Sequence, residues 1–141
     1  MFRINPIMKS LFILCVLAVP VLVTSCIYEA PGDQFYRTLW TAEGIQLGPF
    51  DISSLTLEFL CNGEVSITVT DKSRLISGYT YGTYTPDNTT AVLEGLTINI
   101  QNHEVTFMEA HRNGNTLLLL WEIEDSSNKF TTILQRKSSY N

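Results

Sequence analysis

Most site chemistry is built from residues that this chain has little of. Its 141 residues include two histidines and three cysteines, and nine lysines and arginines stand against 14 aspartates and glutamates. The two histidines give no zinc-type spacing, and neither a Gly-rich phosphate loop nor a G-x-S-x-G turn occurs. The usual acid–base and nucleophile pairs are missing as well, so the sequence reads as non-enzymatic, with no catalytic residue, metal or cofactor. A net charge of −5 without any basic run argues against a nucleic-acid partner, since phosphate binding needs clustered cations. Long apolar runs are also absent. The longest, Leu11 to Val23, has 13 residues and contains Pro20, whereas a membrane-spanning helix needs about 20. From Phe35 onward no apolar repeat at three and four is sustained, which leaves at most a helical turn or two between Glu43 and Ser54.

What is present begins at the leader. Arg3 and Lys9 precede the apolar run, and Val23-Thr24-Ser25 lead into Cys26, which together make the three parts of a secretory signal. With cysteine at the cleavage point, the stretch resembles the lipobox of bacterial lipoproteins. The resemblance implies removal of residues 1–25, lipidation at Cys26 and anchoring to a membrane of the bacterial cell envelope. The expected location is the outer membrane, on its periplasmic or surface face. Acyl chains contribute ~0.8 kcal/mol per buried CH₂, so no protein helix is needed to hold such an anchor. Without Arg3 and Lys9 the chain keeps seven basic residues against 14 acidic ones, a net −7, and its surface as a whole is expected to be repelled by anionic headgroups. Cys15 leaves with the leader, so Cys61 has no intramolecular disulfide partner and stability must come from the core. Cys61 with His103 or His111 is a conceivable nucleophile pair, but no local motif supports it, and free cysteine is more often a small buried hydrophobe. Residues 26–34, with Pro31-Gly32, read as a lipidated tether, and 35–141 as one domain with one core.

Period-two alternation predicts an all-β domain of eight strands, roughly 36–42, 54–61, 64–71, 75–85, 90–101, 104–112, 115–123 and 129–136. A three-residue loop, Cys61-Asn62-Gly63, pairs Phe59 with Val65, Leu57 with Ile67 and Leu55 with Val69, keeping one face apolar. A two-residue turn at Asn102-His103 sets Ile100 against Val105 and Ile98 against Phe107. For the next hairpin, a loop at Arg112-Asn113-Gly114 sets Phe107 against Leu119 and Val105 against Trp121, while a two-residue turn would set Met108 beside Leu119. In the first of these registers Glu109 and His111 continue the inward face toward an open barrel mouth. In the second, Glu109 is a surface residue. Ala91 and Leu93 are out of step with Leu96, Ile98 and Ile100, which predicts a bulge at Glu94-Gly95 within one long strand. Consecutive hairpins without a long crossover make an antiparallel up-and-down meander, and eight strands close well into a small barrel.

In the order of its motifs this domain resembles the lipocalin-like lipoproteins of Gram-negative bacteria, over about Phe35 to Arg136. The carriers are Trp40 in the first strand, Leu57-Glu58-Phe59 followed by Asn62-Gly63, then Gly82-Thr83-Tyr84, Leu117-Leu118-Leu119 and Leu134-Gln135-Arg136. The resemblance implies a closed barrel end where Trp40 packs against Arg136 from the last strand. Thr38 stands where the lipocalin G-x-W pattern has Gly, and the lipocalin cysteines are absent. An inward ring of Leu57, Phe59, Ile67, Ile98, Ile100, Phe107, Leu119 and Trp121, with Glu109 at its rim, suggests binding of a small apolar or amphiphilic ligand. Tyr79, Tyr81 and Tyr84 are further candidates for a cavity lining. The competing expectation is a side-chain-filled barrel serving as an interaction or structural accessory module for an envelope protein. There, Met108, Leu118, Leu120 and Ile133 would form an outward patch unless Ile45, Leu47, Phe50 and Ile52 of the first loop cover it.

Overall fold

Alternating apolar residues bury one face of a sheet without leaving an open edge only if the sheet curls back on itself. The computed structural model describes residues 32–73, 76–124 and 126–137; the leader, Cys26 and the tether up to Pro31 lie outside the described residues. Within them run β1 (Leu39–Leu47), β2 (Phe50–Phe59), β3 (Glu64–Thr70), β4 (Ile76–Asp87), β5 (Thr90–Glu94), β6 (Thr97–Ile100), β7 (His103–Asn113), β8 (Thr116–Ile123) and β9 (Lys129–Lys137). Chain neighbours other than β5 and β6 pair antiparallel, β9 returns to β1, and β5 and β6 both pair with β7. The last two are therefore halves of one barrel strand, and the fold is a closed, eight-stranded antiparallel barrel, consistent with a lipocalin-like fold.

The bulge between those halves falls where the broken phase places it. Gly95 takes φ +78°, and Ala91, Leu93, Leu96, Ile98 and Ile100 are all buried on either side of it. β4 passes the bulge so closely that a Cβ on Gly82 would lie 2.1 Å from the Glu94 carbonyl oxygen. The β2–β3 register also matches the expectation: Phe59 faces Val65, Leu57 faces Ile67 and Leu55 faces Val69, with Asn62 and Gly63 both at positive φ.

Two registers differ. Gln101 and Asn102 form the β6–β7 turn, with φ of 50° and 67°, so Ile100 faces His103 and Ile98 faces Val105. Two consecutive positive-φ residues match the right-handed twist of the flanking strands, and Asn tolerates that region well. The β7–β8 turn is Gly114-Asn115, with Gly114 at φ +63°, and a bulge at Met108 shifts the pairing. Phe107 therefore faces Trp121 rather than Leu119, and Val105 faces Ile123 rather than Trp121. Beyond Met108 the inward residues are Ala110 and Arg112, not Glu109 and His111.

The first loop is also strand. β1 and β2 extend into a hairpin that turns at Gly48-Pro49, and both strands change their buried face near Gly44 (φ +57°) and Ser53-Ser54. Leu47, Phe50 and Ile52 consequently join the core at one barrel end, where a Cβ on Gly48 would lie 2.6 Å from the Trp121 ring. The chain enters at the opposite end, which also holds the β2–β3, β4–β5 and β7–β8 turns and the end of β9.

Gly82→Ala is expected to be strongly destabilising, at or above the top of the ~1–3 kcal/mol range for overpacking, because its obstacle is backbone. Gly114→Ala meets no atom within 4 Å and should cost only the ~1–2 kcal/mol of a left-handed alanine. Urea midpoints of the two variants check the contrast.

Candidate functional site

The inward ring is where the sequence places it, and it is packed solid. Leu57, Phe59, Ile67, Phe107, Leu119 and Trp121 have 0% exposure, and Ile98 and Ile100 have 5% and 1%. Side chains bordering a water-sized chamber would show exposed surface to it, so this ring closes upon itself. Trp121 stacks on Phe130 with ring centroids 4.6 Å apart and donates its indole N–H to Thr132 Oγ1 at 2.9 Å. Clefts of about 420–440 Å³ lie on the outer wall, one lined by Glu43, Gly44, Ser53, Ser54 and Thr70, another by Thr41, Ile45, Ile133, Gln135 and Lys137 among others.

The end where the chain enters is plugged from within by Asp33–Thr38. Asp33 is buried although it belongs to the stretch read as tether. Its Oδ1 accepts the amides of Phe35 (2.8 Å) and Tyr36 (3.0 Å), and its Oδ2 accepts the Tyr84 hydroxyl at 2.8 Å. This holds Phe35, fully buried, against Phe59 and Tyr84 at centroid distances of 4.9 and 6.4 Å. Thr38, in the place of the lipocalin glycine, donates its hydroxyl to the Phe35 carbonyl and accepts the Trp40 indole N–H at 2.8 Å. The hydroxyl thus gives the buried indole a partner that glycine could not supply.

Trp40 and Arg136 are direct cross-strand partners. The guanidinium over the Trp40 ring, however, is that of Arg112, with Cζ 5.4 Å from the centroid. Arg112 also donates Nε–H to the Gly114 carbonyl at 2.9 Å and a terminal N–H to the Gln34 carbonyl, tying β7 to the plug. Partial burial pulls the Arg112 pKa below its ordinary value, and the neighbouring charge of Arg136 adds to the effect. Sequence reasoning missed Arg112 because the bulge at Met108 decides whether even or odd residues of late β7 face inward.

That bulge also removes Glu109 from the rim. Glu109 is on the outer face, its Oε2 3.2 Å from His111 Nε2, while His111 Nδ1 lies 3.3 Å from Thr90 Oγ1. The end expected to be an open mouth is the plugged one. Cys61 sits in the β2–β3 loop at the plugged end and His103 starts β7 at the other, so the structure does not join that pair. Among the described residues, no three His, Cys, Asp or Glu side chains gather as metal ligands. Tyr79 and Tyr81 do not line the interior: they point outward from β4, 59% and 67% exposed, with Ile76 at 68% on the same face. Of the expected outward patch, Ile133 is 57% exposed, while Met108, Leu118 and Leu120 are half-buried.

Arg112→Ala is expected to destabilise the domain by about 1–3 kcal/mol, losing the cation–π contact and two hydrogen bonds. Arg136→Ala should be near neutral, since it relieves a like-charge repulsion; paired denaturation curves decide this. Comparison of the chain with protein-family models, with curated proteins and with solved structures gave no match.

Proposed function

We propose that this chain is a lipid-anchored module of the bacterial cell envelope that binds a protein partner on the outside of a side-chain-filled barrel, without catalysis. The observation that carries the reading is the ridge of Ile76, Tyr79 and Tyr81 on β4. Three large side chains, each more than half exposed on one face, form the kind of aromatic and aliphatic surface that protein interfaces favour. Their neighbours across the sheet are short hydroxyl side chains: Thr70 beside Ile76, Thr68 beside Tyr79 and Ser66 beside Tyr81. The tyrosines therefore stand above a low floor and bring large contact areas at little rotamer cost. The anchor half of the reading rests on the lipobox-like residues ending at Cys26.

The alternative, a small apolar or amphiphilic ligand held inside, gains little support from the packing. A guest would have to displace side chains that already fill the ring, and overfilling a packed interior costs about 1–3 kcal/mol.

Cys26→Ser should release the protein from membranes or block its processing; unchanged membrane association with an unmodified N-terminus would overturn the anchor. A photo-crosslinking residue at position 79 or 81 should give one dominant protein adduct in intact cells that is absent when the same probe is at exposed Asn128. Equal or absent adducts at all three positions would count against the partner surface. Native mass spectrometry separates the alternative. Wild type should carry no apolar ligand, whereas Phe107→Ala, at a cost of ~3–5 kcal/mol, should open a cavity that takes up a small hydrocarbon.

A further inference from the structure

The chain is acidic, yet four of its seven basic residues beyond the leader lie at the plugged end: Arg37, Arg112, Arg136 and Lys137. Arg112 and Arg136 both occupy the last inward positions of their strands. Arg112 faces Leu117 and Arg136 faces Trp40, and the two guanidinium groups are close enough for one to lower the other's proton affinity. Among the described residues neither lies within ion-pairing distance of a carboxylate, in contrast to Lys72, whose Nζ meets Asp51. Two guanidinium groups this close repel each other, and an anion bridging them would relieve the repulsion. Glu58, Glu64 and Asp87 lie toward the β2–β4 side of the same end, so the positive half is the side formed by β7, β9 and β1.

We propose that Arg112, Arg136 and Lys137 form a docking site for the phosphates of anionic membrane lipids, holding the barrel with its plugged end tilted onto the bilayer. Arg112 spends two of its donors on Gly114 and Gln34, leaving others free beside those of the exposed Arg136. Planar guanidinium groups match phosphate oxygens in bidentate fashion. The membrane is the source of these phosphates because residues 1–31 join the domain at this end, through Gly32 and Asp33. On the anchor reading above, on which this part rests, Cys26 is six residues from Gly32, a reach of at most about 20 Å. The tether thereby lets the basic half reach the headgroups, and each cation that comes within a Debye length of them strengthens association about fivefold. The net negative charge of the domain repels the bilayer as a whole, which selects this one orientation.

The test is hydrogen exchange on the full chain reconstituted in vesicles of phosphatidylcholine, with or without added phosphatidylglycerol. Backbone amides of 112–116 and 134–137 should exchange more slowly on phosphatidylglycerol. The slowing should disappear in R136Q/K137Q and at high salt, and persist in R136K/K137R. Equal exchange on both surfaces, or slowing that R136Q/K137Q retains, overturns the proposal. Equal slowing by inorganic phosphate in detergent without vesicles overturns the membrane as the source. Flotation reports the anchor separately. If the chain fails to float with phosphatidylcholine, the anchor reading falls, and recovery by phosphatidylglycerol then supports the basic site while its absence overturns it.

Discussion

The barrel depends on one close backbone passage, Gly82 of β4 against the Glu94 carbonyl at the bulge. An eight-stranded sheet closes only if its first and last strands meet in register, and here the strand between β4 and β7 must serve both. β5 pairs with both while β6 pairs with β7, and the kink at Gly95 lets one strand turn from the first role to the second. A glycine on each side of the contact makes room for it. Every inward side chain is aimed by that closure, so the filled interior, the plug and the exposed β4 ridge follow from it.

Filling the interior also settles how the domain stays folded without a disulfide. Cys61 takes part in no disulfide, and the cohesion comes from rings and branched chains packed from all strands. The buried side-chain nitrogen and oxygen atoms are all partnered among the described residues. Asp33, Thr38 and Thr132 each serve a specific N–H or O–H, which avoids the penalty of orphaned polar atoms in a dry core.

How much of this was legible depended on whether a break in phase was marked by a distinctive residue. The barrel class, the β2–β3 register and the Gly95 bulge could all be read, because Asn62-Gly63 and Glu94-Gly95 announce left-handed backbone beside clear apolar alternation. The Met108 bulge carries no such mark. Phe107 and Ala110 are both buried, but alanine is too small and too common on surfaces to flag a change of face. From that missed residue followed the misplaced Glu109 and the oversight of Arg112, while the wrong partner for Trp121 also reflects a turn that sits at Gly114-Asn115. The face switch of the first hairpin was present in Ile45, Leu47, Phe50 and Ile52, which are out of step with Trp40 and Leu55. Outward aromatics such as Tyr79 and Tyr81 could not be told from inward ones, since β4 has glycines where its neighbours have core residues.

The Asp33 clasp has a mechanical consequence. Any tension arriving through residues 1–31 reaches Asp33, Phe35 and the Tyr84 hydroxyl before it reaches the first strand. The load therefore falls on a stopper seated in the barrel end, not on the ladder between β1 and its neighbours. Resistance to pulling is governed by the rate at which the first element yields, so this domain should uncork before it unzips, with its walls still paired when the stopper comes free.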